Sequence, residues 1–379
     1  MKIVAAPDSF KESMTAMEVC NSIEKGFRKV FPGASVHKIP IADGGEGTVH
    51  ALVSATNGLL VDIEVTGPHG KPVNAYYGVL GDGRTAVIEM AAASGLQHVP
   101  IKNRNPLTAT SFGTGELIKD AIARGMDKII LGLGGSATND GGAGMAAALG
   151  VNFFNDDGET FIPVGGTLDR IASLSMNSLQ PRLKGIEFAV ACDVDNPLAG
   201  PEGASHVYGP QKGATPEMVR LLDANLIHFG QKLSEAAGIN VLDFPGAGAA
   251  GGMGAGAKGF LKAEFRPGVE LVLDMVQFEE AVADADLIIT GEGRIDGQSI
   301  HGKAPIGVAG YAKKYNKPVI AIAGELGKDF EKIYDHGIDS AFCIVSGVMS
   351  MEEALRRGPE NVERTAENIA RLLFIQRSW

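Results

Sequence analysis

Cysteine and aromatic residues are scarce in this sequence. Its 379 residues include three Cys and one Trp, and Phe, Trp and Tyr together make up 6%. Because Cys20, Cys192 and Cys343 are odd in number and far apart, they exclude a disulfide framework and a cysteine zinc site and favour a reducing cytoplasm. No apolar run approaches the length of a membrane span, and the N-terminus turns polar too early for a signal peptide. We therefore expect a cytoplasmic protein without a membrane partner.

Sequence motifs for several enzyme classes are also missing. The chain has no H-E-x-x-H, C-x-x-C or G-x-S-x-G, so zinc chemistry and serine-nucleophile chemistry have no specific support. The formal net charge is −11 and no basic stripe is present, which disfavours broad nucleic-acid binding because an acidic protein repels phosphate backbones. Apolar residues make up 45% of the chain, which excludes intrinsic disorder.

Glycine, by contrast, is abundant. The chain has 51 glycines, about 13% against an average near 7%. Such a composition in a chain that is not of low complexity indicates either backbone brought close to a ligand or an α/β protein with many loops. The most glycine-rich stretch, residues 246–259, reads GAGAAGGMGAGAKG. We predict a flexible loop there, a candidate lid.

The order of predicted elements indicates an α/β fold in two domains. Strands alternate with helices at both ends of the chain, which is typical of a parallel sheet covered on both faces. The central strands at 59–65, 75–79 and 85–90 follow one another closely and predict antiparallel pairing. We predict a discontinuous Rossmann-like domain, residues 1–59 plus 285–379, and an inserted α/β domain with antiparallel or mixed strands, residues 60–284. The ligand site is expected in the cleft between them.

Six polar clusters stand out, each at the predicted end of a strand, and four of them contain glycine. Ligands bind at this position in open α/β sheets. The clusters are PDSFKES (7–13), ADGGEGT (42–48), GLGGSATNDGG (132–142), CDVDNP (192–197), YGPQKG (208–213) and TGEGRIDGQSIHGKA (290–304).

The third cluster lies between a predicted strand and a predicted helix, an arrangement that binds phosphate. Its Gly132-x-Gly134-x-x-Ala137 spacing, with Asp156 about twenty residues on, also fits a dinucleotide fingerprint and leaves a nicotinamide-dependent hydroxyacid dehydrogenase as an alternative. Residues 297–303 have Walker A spacing, but Ala304 replaces the expected Ser or Thr, so we interpret the cluster as an anion site with Arg294 and Lys303 as cations.

The other clusters supply carboxylates and further cations. Asp43 and Glu46 could ligate Mg²⁺, Asp193 could act as a base, and Ser9 and Lys11 could contact a substrate or phosphate. Backbone nests, basic side chains and several carboxylates together are what phosphoryl transfer requires. A third hypothesis is a non-enzymatic sensor of sugar acids. Such a regulator would need a DNA-binding module or a partner segment, and none is recognisable in the sequence.

In this order, the six clusters resemble the pattern of the type I glycerate kinase family along essentially the whole chain. The resemblance implies a two-domain α/β fold and ATP- and Mg²⁺-dependent phosphorylation of D-glycerate. Relatives of this type mostly resemble 2-kinases, which form 2-phosphoglycerate in glyoxylate, glucarate or galactarate breakdown. Phosphorylation of the 3-hydroxyl group remains open, and we expect either a monomer or a homodimer.

We assign roles to the cluster residues from their chemistry. Asp193 accepts the proton of the attacked hydroxyl group, with Asp8 as the alternative base. We assign substrate binding to Ser9, Lys11, Asp193, Arg294 and Gln298, and of these Lys11 and Arg294 are also catalytic. Nucleotide binding is assigned to Gly134, Gly135, Ser136, Thr138, Asn139 and Lys212. Metal binding is assigned to Asp43, Glu46 and Asp296.

Overall fold

The computed structural model describes residues 1–179, 181–300 and 302–376, so His301 of the sixth cluster lies outside the described residues. The chain forms two compact units. The first comprises Met1–Asp43, His50–Asn57 and the chain from Pro267 onward, and the second comprises Gly44–Val49 and Gly58–Arg266.

The described strands and helices alternate near both ends of the chain, whereas the centre contains runs of consecutive strands and of consecutive helices. The strands are β1 (Lys2–Pro7), β2 (Ser35–Lys38), β3 (Leu59–Thr66), β4 (Pro72–Val79), β5 (Thr85–Glu89), β6 (Lys128–Gly132), β7 (Asn152–Phe154), β8 (Thr160–Phe161), β9 (Ser173–Ser175), β10 (Glu187–Ala191), β11 (Glu264–Arg266), β12 (Leu287–Ile295), β13 (Val319–Leu326) and β14 (Ser340–Cys343). The α-helices are α1 (Ala16–Arg28), α2 (Thr48–Thr56), α3 (Ala91–Ser94), α4 (Phe112–Ala123), α5 (Ala143–Ala148), α6 (Ala204–Tyr208), α7 (Pro216–Ala237), α8 (Ala249–Leu261), α9 (Gly268–Met275), α10 (Phe278–Ala283), α11 (Ala304–Lys314), α12 (Met351–Arg356) and α13 (Gly358–Gln376). Short 3-10 helices cover Leu96–His98, Ile101–Asn103, Gly165–Arg170, Pro210–Lys212 and Phe330–His336. Within this described part, none of the helices combines the length and apolar composition that a bilayer crossing requires.

The first unit contains a five-stranded parallel sheet in the order β14-β13-β12-β1-β2. Its strands come from both ends of the chain, which confirms the predicted discontinuous parallel sheet. Buried apolar side chains of β1 and β12 pack with those of α1 and α13 to form the core. The strand order reverses between β1 and β12, and the carboxyl ends of strands at such a switch point form the ligand-binding crevice of doubly wound sheets.

The second unit contains a six-stranded mixed sheet in the order β11-β10-β6-β5-β4-β3. The strands β5, β6, β10 and β11 are parallel, whereas β3 and β4 run antiparallel to their neighbours. This confirms the antiparallel pairing predicted for the central strands. A separate three-stranded sheet is formed by β8, β7 and β9.

Helix boundaries follow from local capping chemistry. At the start of α1, Thr15 Oγ1 accepts the amide hydrogen of Glu18 at 3.3 Å, and Glu18 Oε2 accepts that of Thr15 at 2.8 Å. This is the capping box that a Thr followed three residues later by Glu predicts. The long helix α7 has Thr215 as its N-cap and Pro216 at its first position, and it ends at Gly238 in the left-handed conformation.

The glycine-rich stretch 246–259 is not the flexible loop that we predicted. Most of it forms α8, which is buried and has a kink at Ala250–Gly252. Its small residues allow backbone to pack directly on backbone, because a Cβ on Gly251 would overlap the carbonyl oxygen of Thr138 and one on Gly256 would overlap that of Gly141. The prediction was wrong because the composition of a mobile linker and that of a close helix contact are similar.

Residues 267–284, which we expected in the inserted segment, group with the first unit. They form α9 and α10, which pack on α11. At this contact the side chain of Val269 lies so close to Gly307 that an added Cβ would overlap it. The second unit accordingly ends with β11.

Candidate functional site

Three carboxylates of the first unit lie at the switch point of its sheet. Asp8 follows β1, and its amide donates to the carbonyl oxygen of Gly291 in β12 at 2.8 Å. Glu292 is the next residue of β12. The chain after β2 continues beside β1, because the Ile41 amide donates to the carbonyl oxygen of Pro7 at 2.9 Å, and this leads Asp43 to the same edge. The negative charges of Asp43 and Glu292 both act on Asp8.

Burial, and secondarily the charge of Asp43, raises the pKa of Asp8 to about 7, although the amide of Ser9 donates to Asp8 Oδ1 at 2.5 Å and opposes the shift. A carboxyl group that titrates near neutral pH can exchange a proton with a substrate hydroxyl group during turnover. Asp8 therefore has the electrostatic environment of a general base.

Glu292 ties the loop after β12 back to that strand. Its buried carboxylate accepts hydrogen bonds from Ser299 Oγ at 2.9 Å and from Lys303 Nζ at 3.2 Å. Burial raises the pKa of Glu292, and the positive charge of Lys303 opposes that shift. We assigned no role to Glu292 from the sequence, and the charge of Lys303 is already paired in this arrangement.

Arg294 lies at the surface between two carboxylates. Its Nε donates to Asp296 Oδ2 at 3.1 Å, and its Nη1 lies 3.7 Å from Glu325 Oε2. The amide of Gln298 donates to Asp296 Oδ1 at 2.9 Å and helps to lower the pKa of Asp296. The predicted metal ligand Asp296 is thus occupied by protein donors.

Lys11 and Ser9 are on the loop that passes beside β12. Lys11 is exposed and Ser9 is half-buried. A Cβ on Gly293 would lie 3.6 Å from the Phe10 Cα and 3.7 Å from the Lys11 nitrogen, so the backbone of this loop approaches the strand that carries Glu292 and Arg294. The first unit therefore brings the predicted residues Asp8, Ser9, Lys11, Asp43, Arg294, Asp296 and Gln298 to one edge of its sheet.

In the second unit, the loop between β6 and α5 contains the predicted nucleotide-binding residues. Gly134 and Gly135 are exposed, whereas Ser136 to Asn139 are buried. Lys212, 2% exposed, lies beneath this loop, and its Nζ donates to Ser136 Oγ at 2.8 Å and to the Thr138 carbonyl oxygen at 2.7 Å. Burial lowers the pKa of Lys212 to about 7. In the sequence we placed Lys212 on a phosphate; here its ammonium group braces the loop.

Asp140 braces the same loop from its far end. Its fully buried carboxylate accepts the Ser111 amide and hydroxyl groups, both at 2.8 Å, and the amides of Gly142 and Gly144 at 3.2 and 3.3 Å. Burial nevertheless raises its pKa. Thr138 Oγ1 and Asn139 Oδ1 are buried without a hydrogen-bond partner in the part of the chain described. Such atoms are where a ligand or an ordered water completes the hydrogen bonding.

The second glycine motif packs against the start of this loop. A Cβ on Gly132 would lie 2.9 Å from the Gly44 carbonyl oxygen, and one on Gly134 would lie 3.6 Å from the Gly45 Cα. Glu46, between these glycines and α2, is exposed. The structure therefore brings the second and third sequence motifs together at the carboxyl ends of β5 and β6.

Asp193 follows β10, the other parallel neighbour of β6, and its side chain is exposed. Beside it, the negative charges of Asp193 and Asp195 add to burial in raising the pKa of Cys192. Asp156, which the dehydrogenase alternative placed on a ribose, lies instead in the turn between β7 and β8 of the separate small sheet. That position does not follow a strand of the sheet that contains β6, as the dinucleotide fingerprint requires.

The acidic side chains of the described residues do not form a complete metal cage. Over residues 1–179, 181–300 and 302–376, no three His, Cys, Asp or Glu side chains are grouped so that they could hold a metal ion. Mg²⁺ in phosphoryl-transfer sites uses one or two carboxylates together with phosphate oxygens and water. Asp43 lies close enough to Asp8 and Glu292 to raise the pKa values of both carboxyl groups. Carboxylate oxygens grouped in this way fit a Mg²⁺ ion that is also bound by phosphate oxygens and water.

Comparison with known proteins gives consistent results over the full chain. The model of the glycerate kinase family matches residues 3–374. A glycerate kinase of Bacillus subtilis is 54% identical over 370 residues, 98% of this chain and 97% of that protein. A protein named glycerate 2-kinase from Escherichia coli K12 is 52% identical over 375 residues, 99% and 98% of the two chains. A crystal structure described as that of a candidate glycerate kinase 2 from Salmonella typhimurium LT2 superposes with a TM-score of 0.93 at 52% identity, over 100% of both chains.

Proposed function

This chain belongs to the glycerate kinase family and is an enzyme of that type, and we propose that it transfers the γ-phosphoryl group of ATP to the 2-hydroxyl group of D-glycerate. The observation that carries the proposal is the position of the motifs. Four of the six follow parallel strands of the two sheets at their carboxyl ends. The sixth begins inside β12 and continues past its carboxyl end, and the fifth in chain order, YGPQKG, reaches the loop after β6 through Lys212. The name of the Escherichia coli relative supports the 2-hydroxyl group over the 3-hydroxyl group.

We assign the nucleotide to the second unit. Glycine-rich loops that follow parallel strands expose backbone amides to phosphate oxygens. In Gly134-Gly135-Ser136 the two glycines are exposed while the residues behind them are fixed by Lys212 and Asp140. A loop held in this way supports phosphate binding without a large reorganisation.

We assign glycerate to the first unit. Its carboxylate needs a cation, and Lys11 and Arg294 are the exposed basic residues beside the switch point. Lys11 is the stronger candidate because Arg294 is already paired with Asp296 and Glu325. Ser9 and Gln298 are the neighbouring polar groups that we assign to the substrate hydroxyl groups.

In the proposed reaction, the 2-hydroxyl oxygen forms a bond to the γ-phosphorus. The bond between that phosphorus and the β,γ-bridging oxygen breaks, and ADP leaves with the electron pair. The hydroxyl proton passes to a carboxylate, Asp193 in our first assignment and Asp8 in the alternative. The pKa of about 7 supports Asp8, whereas exposure at the end of a parallel strand supports Asp193.

Asp43, Glu46 and Asp296 would hold Mg²⁺, and the carboxylate of Asp296 would have to do so alongside its hydrogen bonds from Arg294 and Gln298. When bound, this ion neutralises charge on the phosphate oxygens. We place the reaction in the cytoplasm, as expected from the three dispersed cysteines, all of which are free.

The experiment that tests this function is phosphorus NMR of the purified enzyme with ATP, MgCl₂ and D-glycerate. The proposal predicts ADP and the resonance of 2-phosphoglycerate, and neither when glycerate is omitted. A 3-phosphoglycerate resonance would overturn the regiochemistry while keeping the kinase. Absence of any phosphate ester, with NADH formed from NAD and glycerate, would replace the kinase by the dehydrogenase.

A further inference from the structure

Glu89 is a buried carboxylate that has no role in the assignments above. It is the last residue of β5, lies opposite Gly132 of β6, and is 6% exposed. A buried carboxylate is costly unless hydrogen bonds compensate for its lost hydration. Its partners therefore indicate why it is there.

The partners of Glu89 are consecutive backbone amides. Oε1 accepts the amide hydrogen of Val49 at 2.9 Å, and the amides of Gly47 and Thr48 lie close enough to the carboxylate to lower its pKa, although the Thr48 amide also donates to the Gly45 carbonyl oxygen at 3.3 Å. These amides form the entry to α2, where the first turn of a helix leaves its donors without intrahelical acceptors. The local hydroxyl group does not cap them, because Thr48 Oγ1 donates to the Gly45 carbonyl oxygen at 2.7 Å. The cap is supplied by a residue 40 positions further along the chain.

Capping these amides fixes the glycine motif that precedes them. Gly44 and Gly45 pack on Gly132 and Gly134. Glu46 lies between this contact and the amides held by Glu89, so its backbone is fixed on both sides. If the amides at 47–49 were released, the segment could move away from the loop after β6.

We propose that Glu89 is a positioning residue of the phosphoryl-transfer site, whose carboxylate holds Gly44–Val49 against Gly132–Gly134 so that Glu46 and the glycine amides stay in place for the nucleotide and its metal. The expected effect on phosphoryl-transfer kinetics rests on the proposed function. The expected effect on the backbone at residues 44–49 does not. Both oxygens of a carboxylate can accept hydrogen bonds from a row of amide donors. A carboxamide has only one accepting oxygen, and its NH₂ group is itself a donor.

The structural consequence is tested by hydrogen exchange of the ligand-free enzyme, comparing wild type with E89Q. We expect the amides of residues 47–49 to exchange at least about tenfold faster in E89Q. The matched control is D82N. Asp82 accepts the amides of Arg84 and Thr85, both at 2.9 Å, at the opposite end of the same strand, so D82N should leave exchange at 47–49 unchanged.

The kinetic consequence is tested by steady-state ADP release. Displacement of a reacting group by about 1 Å can cost about a hundredfold in rate, so we expect E89Q to lose between about tenfold and a hundredfold in kcat/KM for ATP. The KM for glycerate should change by less than about twofold, because Ser9, Lys11, Arg294 and Gln298 are in the other unit and Asp193 follows a different strand of the sheet, β10. D82N should remain close to wild type in both constants. If E89Q does not fold, E89D serves instead, since it keeps the charge but retracts the carboxylate from the amides.

The outcomes separate this inference from the proposed function. Unchanged exchange at 47–49 in E89Q or E89D would overturn the positioning role even if the wild type proved to have another activity. Faster exchange with unchanged kcat/KM for ATP, or equal losses in E89Q and D82N, would also overturn it, because the carboxylate would then serve stability alone. Absence of ADP release by the wild type would refute the proposed function, and the exchange experiment would still decide what Glu89 holds.

Discussion

Replacing Lys212 by Met tests whether a buried ammonium group braces the loop after β6. The Lys212 side chain is buried between Ser136 Oγ and the Thr138 carbonyl oxygen, and its pKa falls from an ordinary 10.5 to about 7. That difference corresponds to about 5 kcal/mol between the charged and neutral forms. Met has a similar length and no charge, so K212M removes this electrostatic cost together with two hydrogen bonds.

The sign of the effect follows from proton binding. Between pH 7 and pH 10.5 the folded protein binds fewer protons at Lys212 than the unfolded chain does. The free energy of unfolding of the wild type therefore rises with pH through this window and is lowest below pH 7. K212M lacks this rise. From pH 7 to pH 9, the wild type should gain about 2 kcal/mol over the variant, because the site is already half neutral at pH 7.

Thermal melts of the ligand-free proteins at pH 7, 8 and 9 measure this gain. For a unit of this size, 2 kcal/mol corresponds to about 4–8 °C in Tm. The two lost hydrogen bonds, worth about 1 kcal/mol each, lower the stability of K212M equally at every pH and do not imitate the effect. The exposed Lys102 provides the control, because K102M should follow the wild type at each pH. A difference between K212M and wild type that stays constant from pH 7 to pH 9 would refute the argument.

Three further predictions concern the base, the packing of α8 and the metal. If Asp193 is the base, D193N should fold normally and lose at least about a hundredfold in kcat. A near-normal kcat in D193N, about a hundredfold loss in D8N and a wild-type kcat that falls below pH 7 would together show that Asp8 accepts the proton instead. G251A should lower the free energy of unfolding by about 2 kcal/mol or more, measured by denaturant titration, because its Cβ would overlap the Thr138 carbonyl oxygen; a wild-type midpoint would contradict the backbone contact. Chelation with EDTA should abolish ADP release and MgCl₂ should restore it, whereas turnover that persists in EDTA would exclude a divalent ion.

The parts of this fold that sequence predicted well depend on local information. The capping box at Thr15–Glu18 and the Pro216 start of α7 are set by residues within one helical turn. The apolar strands at both ends of the chain carry their own burial pattern, so the parallel sheet followed from order alone. The position of the motifs at strand ends was predictable for the same reason.

The parts that were missed depend on contacts between distant residues. Glu89 caps amides 40 positions away, and Asp140 holds the Ser111 hydroxyl group 29 positions away. Neither carries a local signal that distinguishes it from a surface acid. Asp140 was visible within the third motif, but its neighbour Asn139 was the more obvious ligand group. Glu292 was likewise read as part of a motif and not as the acceptor for Ser299 and Lys303.

The glycine excess follows from the same buried contacts. Gly251 and Gly256 let the backbone of α8 approach the loop after β6, which Lys212 and Asp140 brace by hydrogen bonds. A loop fixed by this many buried contacts can place its exposed glycine amides with little conformational freedom left to lose on binding. Because phosphoryl transfer depends mainly on positioning and charge stabilisation, such rigidity favours catalysis. Gly251 and Gly256 in α8 therefore help to fix the loop after β6, which under the proposed function would bind phosphate, and this is the opposite of the mobile lid that their composition suggested.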